Sequence, residues 1–184
     1  MDVLYLIKED HNKIRSLCNA MMDAFERVKA LKEEDYTPAL LSLGREVRAH
    51  LHLEETYLFP EVLNVFPDAK RLITTCLGHQ VAILKALDDI EVKLLKIGAK
   101  KLPEAAPGIA NFKAAIEQHF SIEEEMLLPK IRQLIPTQDR EDLGQVFQDV
   151  REEIEHLGIK PINTAISAAK TKTKVSVAAS ARRG

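Results

Sequence analysis

Six side chains in this sequence have the types and spacing to do chemistry together. His50 and Glu54 stand four residues apart, and so do His119 and Glu123. Residues at i and i+4 of a helix lie one above the other on one face, so each pair can present an imidazole and a carboxylate to the same point. The surroundings repeat as well. His50-Leu51-His52-Leu53-Glu54-Glu55-Thr56-Tyr57-Leu58-Phe59-Pro60 aligns without a gap on His119-Phe120-Ser121-Ile122-Glu123-Glu124-Glu125-Met126-Leu127-Leu128-Pro129, at an offset of 69 residues. One more histidine precedes each pair, His11 and His79, at an offset of 68. A lone His-x3-Glu is weak evidence. Two in one register, each with a His on the helix before, describe two facing halves of a pseudo-symmetric cage. Neutral imidazole and ionised carboxylate are together the donor set of Fe, Mn or Zn, with no thiolate among them. Metals in two-metal sites sit ~3.5–4 Å apart.

The elements that must position these groups are helices. The first runs from about Asp2 to Leu31, with the seam Leu4, Ile7, Ile14, Cys18, Met21, Phe25, Val28, in which position 11 is a histidine. Alternating steps of three and four mark one face of a packed helix. The second starts at Thr37-Pro38, a capping residue followed by a proline that loses no bond in the first turn. Its seam is Leu40, Leu43, Val47, His50, Glu54, Tyr57, and Pro60 should end or kink it. The third follows Pro67-Asp68 with Leu72, Cys76, His79, Ile83, Ala86, Ile90. After a connection over Pro103 to Gly108, the fourth carries Ile109, Phe112, Ile116, His119, Glu123, Met126 toward Pro129. A shorter fifth spans Thr137 to His156, with Gly158 and Pro161 to stop it. The expected fold is all-α: an antiparallel up-down-up-down four-helix bundle with a short fifth helix.

All six groups fall where the periodicity puts the interior. A lone buried polar group costs roughly 1–3 kcal/mol and an unpaired buried charge several. A metal is the simplest common partner. A metal-free hydrogen-bonded network is the rival, but such networks rarely satisfy every lone pair and proton.

His11, His50-x3-Glu54, His79 and His119-x3-Glu123, with the Leu-Phe-Pro or Leu-Leu-Pro after each Glu, resemble the hemerythrin-like (HHE cation-binding) domain over about residues 3–155. The resemblance implies two non-haem irons, Fe2+ or Fe3+, with an oxo or hydroxo bridge. It makes Glu54 and Glu123 the carboxylates that bridge them, with His11 and His50 on one iron and His79 and His119 on the other. It also implies binding of O2 or a similar small ligand for sensing, storage or stress response. The enzyme alternative handles nitric oxide or peroxide, or donates iron in iron–sulphur-cluster repair. One departure bears on this. The oxygen carriers of the family have a further His one turn away on the third helix, and here the residues one turn either side of His79 are Thr75 and Ile83. Four histidines leave more coordination positions open, which argues against a dedicated carrier. The Glu-x-x-His pairs of ferritin-like sites are represented by Glu153-x-x-His156 alone.

The remaining ionisable groups read as bland. His52 points away from the ligand face, His156 sits at a helix end, and Glu55, Glu124 and Glu125 read as a solvated face. Cys76, one turn before His79, and Cys18 read as reduced core residues. Tyr57, Phe59 and Phe120 flank the site as packing. Composition is that of a globular chain: 184 residues, 46% hydrophobic and 29% charged. No apolar run suits a membrane span and the N-terminus lacks a signal-peptide pattern, so a cytoplasmic setting is expected. The formal net charge of −2 hides an asymmetry. Residues 159–184 carry six basic groups (Lys160, Lys170, Lys172, Lys174, Arg182, Arg183) and no acid, which leaves −8 on residues 1–158. Residues 1–158 are therefore expected to form the domain, and residues 159–184 a disordered, solvated basic tail rather than a nucleic-acid surface.

Overall fold

A computed structural model describes residues 1–27, 33–97 and 102–157 of the chain. The expected tail, the end of the first helix at Leu31 and the stop at Gly158 and Pro161 lie outside them. The described residues are almost entirely helical, with no strand among them. In order, α1 is Val3–Arg27, α2 Glu33–Leu53, α3 Phe59–Val65, α4 Lys70–Ile97, α5 Leu102–Ile122, α6 Leu128–Leu134 and α7 Thr137–Leu157. No described helix is long and apolar enough to cross a membrane.

Asp2 starts α1 by accepting the Leu4 N–H at 2.8 Å through its carboxylate, which satisfies one of the free donors of the first turn. Helix α1 packs on α2 and α5, α2 packs on α4, and α4 on α5, so these four helices close a ring. Apolar seams meet inside it in two clusters. One holds Ile14, Cys18, Met21, Leu43, Val47, Ile83, Leu87 and Ile116 with their neighbours. The other holds Val3, Ile7, Leu53, Leu58, Phe59, Ile73, Cys76, Leu127 and Phe147. Each fully buried aliphatic or aromatic side chain there contributes about 1.5–3 kcal/mol. Buried His11, His50, Glu54, His119 and Glu123 interrupt the same seams.

Several expected boundaries move. Helix α2 begins at Glu33, with Pro38 inside it, and the Pro103 to Gly108 connection is the helical start of α5, with Pro107 inside. A proline near a helix start removes one bond but does not prevent the turn that precedes it. Pro60 does not end the second helix either. Residues Glu54–Leu58 form a π-helical turn, closed by Phe59 N–H donating to Glu54 O, and α3 continues to Val65. The second half repeats this: Glu123–Leu127 is π-helical, Leu128 N–H donates to Glu123 O, and α6 runs through Pro129 to Leu134. A proline has no N–H to give, and each one follows directly where the ladder widens to i→i+5.

The seam of α4 also differs. Its buried positions are Ile73, Cys76, Gln80, Ile83, Leu87, Ile90 and Leu94, whereas Leu72, His79 and Ala86 are half-buried. Both sets alternate by three and four, and they share Cys76, Ile83 and Ile90. The sequence therefore admitted two faces about 100° apart at the positions where they differ. Packing chose the one with the larger aliphatics and moved His79 to the rim.

The fifth helix, α7, has the expected bounds but is not short: its 21 residues equal those of α2 and of α5, and it lies against α1 and α2. Gly144 permits that approach, since a Cβ there would collide with the Met1 carbonyl. Arg140 anchors the start of α7 by donating to Asp2 and to the Ile135 carbonyl.

Candidate metal centre

Glu54 and Glu123 each face imidazoles with both carboxylate oxygens. Glu54 Oε1 lies 3.3 Å from His50 Nε2, and its Oε2 lies 3.4 Å from His119 Nε2. Glu123 Oε2 lies 3.3 Å from His11 Nε2, and its Oε1 lies 3.5 Å from His119 Nε2. Each carboxylate thus spans from the His11–His50 side to the His119 side, one oxygen to each. All five side chains are fully buried. A π-helical turn starts at each of these glutamates, so the same local widening sets both carboxylates.

These contacts are not hydrogen bonds. Among the described residues, nine buried side-chain N and O atoms lack a hydrogen-bond partner, and all nine belong to the six residues singled out in the sequence. They include Nε2 of His11, His50 and His119, Oε1 of Glu54, and both oxygens of Glu123. Separations of 3.3–3.5 Å exceed the usual N–H···O range. They match the ligand–ligand edge, roughly 3.0–3.4 Å, of an octahedron or tetrahedron built on metal–ligand bonds of about 2.1 Å. The donor set and its unmet valences therefore fit a cation. Ligand atoms of His11, His50, Glu54 and Glu123 all lie within 4.8 Å of one another, and so do those of Cys76, His119 and Glu123. Glu123 is common to both groups.

Protonation follows the same logic. The His11 Nδ1–Glu124 Oε1 distance is 2.7 Å. Burial, then the neighbouring His50 and His119, push the pKa of His11 far below its ordinary value, so the ring is neutral. A neutral ring whose Nδ1–H donates to Glu124 turns the bare Nε2 lone pair toward Glu123. Two lone pairs facing each other repel unless a cation or a proton lies between them. For His50, burial opposes the charge, but the carboxylates of Glu54 and Asp10 outweigh it and hold the pKa up. Burial, then the facing Glu54, raise Glu123 well above the carboxylate range. Two buried carboxylates cannot both ionise side by side without a cation.

A polar frame holds the imidazoles from behind. Arg15 donates to Glu117 at 2.9 Å and to Glu124 at 2.8 Å, and its guanidinium lies 5.2 Å from the Phe120 ring centre. The Phe120 ring stacks on His11 at 3.8 Å. Asp10 Oδ2 stands 3.4 Å from His50 Nδ1 and is ion-paired with Arg151 of α7. Gln80 donates to Glu54 Oε2 at 3.0 Å. Partners of this kind fix ring orientation and basicity, and losing one typically costs 10–100-fold in metal affinity. Asp10→Ala is expected to weaken cation binding by roughly that factor, read by competition against a chelator, without loss of helicity. An unchanged affinity would remove Asp10 from the centre.

Some sequence readings shift here. Glu124, read as a solvated acid, is half-buried against His11 and Arg15. His52 is half-buried, paired with Thr56 at 3.2 Å and edge-on to Tyr57, outside the cage. Glu55 and Glu125 are exposed as expected, and His156 is exposed near the end of α7. His79 is half-buried, its ring centre 6.2 Å from that of His119, with a buried, unpartnered Nδ1. Cys76, read as core, is buried and unpaired as expected, but it also enters the donor cluster. Burial and the two glutamates push its thiol up to about 12. The sequence signals for Asp10, Gln80, Glu124 and Arg151 were thin: a polar residue beside a ligand, or one on the fifth helix, is usually solvated.

Fold and site together define a helical protein with a buried carboxylate–imidazole cluster that could hold a metal ion. The family model of the hemerythrin HHE cation binding domain matches residues 2–131, and the chain belongs to that family. No curated protein and no solved structure matches it.

Proposed function

We propose that this chain holds two non-haem iron ions between Glu54 and Glu123 and binds O2 or a similar small ligand there, in sensing, storage or stress response. The observation that carries this reading is that every unpartnered buried polar side-chain atom among the described residues belongs to His11, His50, Glu54, His79, His119 or Glu123. In the proposal, His11 and His50 would hold one iron, His119 and His79 the other, and Glu54 and Glu123 would serve both. The scaffold proposed is the up-down-up-down four-helix bundle with α7 as an added fifth helix. It is supported by successive long helices entering the two core clusters from alternate ends. The cytoplasmic setting proposed is supported by two buried, unpaired cysteines.

When bound, an iron pair would supply electrons to a small ligand such as O2, nitric oxide or peroxide. The protein supplies orientation and dryness. Glu124 and Asp10 back the rings of His11 and His50, and Gln80 holds one oxygen of Glu54. Ile14, Val47, Ile83 and Ile116, each at most 1% exposed, wall off water on one side. Four histidines rather than five leave room for a ligand on both irons, which favours a sensor or scavenger over a reversible carrier.

Anaerobic reconstitution with Fe(II), followed by cycles of O2 addition and removal under vacuum, tests the proposal. About two irons per chain are expected, with O2-dependent near-ultraviolet absorption that fails to reverse within minutes to hours. Only trace iron after reconstitution would overturn the cation reading. Full recovery over many cycles would restore the carrier reading.

A further inference from the structure

We propose that Cys76 is a ligand of the second cation, its thiolate joining His119, Glu54 and Glu123 on the side of the cage away from His11 and His50. This rests on the cage binding two cations. The Cys76 sulphur lies within 4.8 Å of donor atoms of both His119 and Glu123, and the three residues are all buried. The partners are independently short of bonds: both ring nitrogens of His119 and both oxygens of Glu123 are buried without a hydrogen-bond partner. A cysteine that only fills space has no such company. Cys18 is that case, packed in an apolar cluster of the same bundle and absent from the donor groups.

The reason lies in how α4 turns. Its buried seam runs Ile73, Cys76, Gln80, Ile83, which brings Cys76 and Gln80 inward and leaves His79 half-buried. Gln80 already serves the cage by donating to Glu54. Cys76 and His79 form a Cys-x-x-His pair, i and i+3, so one helix turn offers the second position both a sulphur and an imidazole. Metal–sulphur bonds of about 2.3 Å and metal–nitrogen bonds of about 2.1 Å put tetrahedral S and N ligands roughly 3.6 Å apart. The donors lie within 4.8 Å of one another, so they need to close by no more than about 1.2 Å.

On binding, the thiol S–H bond breaks, the sulphur–metal bond forms, and the proton is released to solvent. The two positions then differ. The first would have two imidazoles and two carboxylate oxygens, and the second would add a softer donor to its imidazoles and carboxylate oxygens. A thiolate favours Co, Zn or Fe over Mn or Mg at the second position.

Anaerobic titration of the full chain with Co(II) tests this. The wild type is expected to bind two ions and to gain a near-ultraviolet sulphur-to-cobalt band as the second position fills. Cys76→Ala should lose the band and weaken the second ion by about tenfold or more while keeping the first, and Cys18→Ala should keep the band. Two bound ions with no such band in the wild type, or a band that survives in Cys76→Ala, would overturn the role of Cys76 and leave the cation centre intact. No bound Co(II) at all would overturn both. The wild-type spectrum decides even if a variant fails to fold.

Discussion

Glu54→Ala and Glu123→Ala should each empty both cation positions rather than one. The expectation follows from which oxygen faces which ring. Glu54 turns Oε1 to His50 and Oε2 to His119, and Glu123 turns Oε2 to His11 and Oε1 to His119. Removing either carboxylate takes a donor from both positions and one of the two negative charges that offset the cations. The surviving cations would repel through a single bridge, so the loss should be cooperative. Elemental analysis after reconstitution and desalting should fall from about two irons to near zero in each variant. His52→Ala, a change outside the cage, should leave the content alone. Retention of one firmly held iron in either glutamate variant would mean that the carboxylate is terminal.

The site was more legible in the sequence than the frame that orients it. The doubled His-x3-Glu register forces an imidazole and a carboxylate onto one helix face, and an internal repeat makes two such faces meet. That logic survives any shift of helix boundaries, and five of the six residues are fully buried together. His79 was less legible because α4 carries two overlapping apolar stripes, and only packing decides between them. Glu124 and Asp10 gave no signal because their neighbours His11 and Glu123 already accounted for the pattern. Pro60 was read as an end or a kink and Pro129 as the limit of the fourth helix, and how both helices continue was not legible for a backbone reason: a π-helical turn is not a pattern of side chains, and it lets the chain absorb a proline that an α-helical ladder would reject.

Stripping the metal should cost the fold a large share of its stability. In the metal-free chain the nine unpartnered atoms have left water and gained nothing, and two carboxylates face each other. A cation bound only by the native state stabilises it by RT ln(1 + [L]/Kd), about 4 kcal/mol per site at 1,000-fold excess over Kd. For a chain of this size each kcal/mol moves the melting temperature by roughly 2–4 °C. The loaded protein should therefore melt at least about 10 °C above the stripped one. The gap should also depend on pH, with a definite sign. The raised pKa of Glu123 means that the stripped fold keeps a proton that the unfolded chain has lost. That contribution to the stripped form is full below the unfolded carboxylate pKa and is lost as pH rises through the folded value. The cation must displace the same proton, so its affinity rises with pH across that window. His11, with its pKa driven down, acts the other way on the stripped form, which loses stability as pH falls below the ordinary histidine value of about 6.5. At and above neutrality the His11 contribution is constant, and the gap between loaded and stripped melting temperatures should widen with pH until Glu123 is fully ionised. Calorimetry of both forms at a series of pH values measures it. A gap that stays flat, or that narrows as pH rises, would show that the cation does not compete with the proton on Glu123.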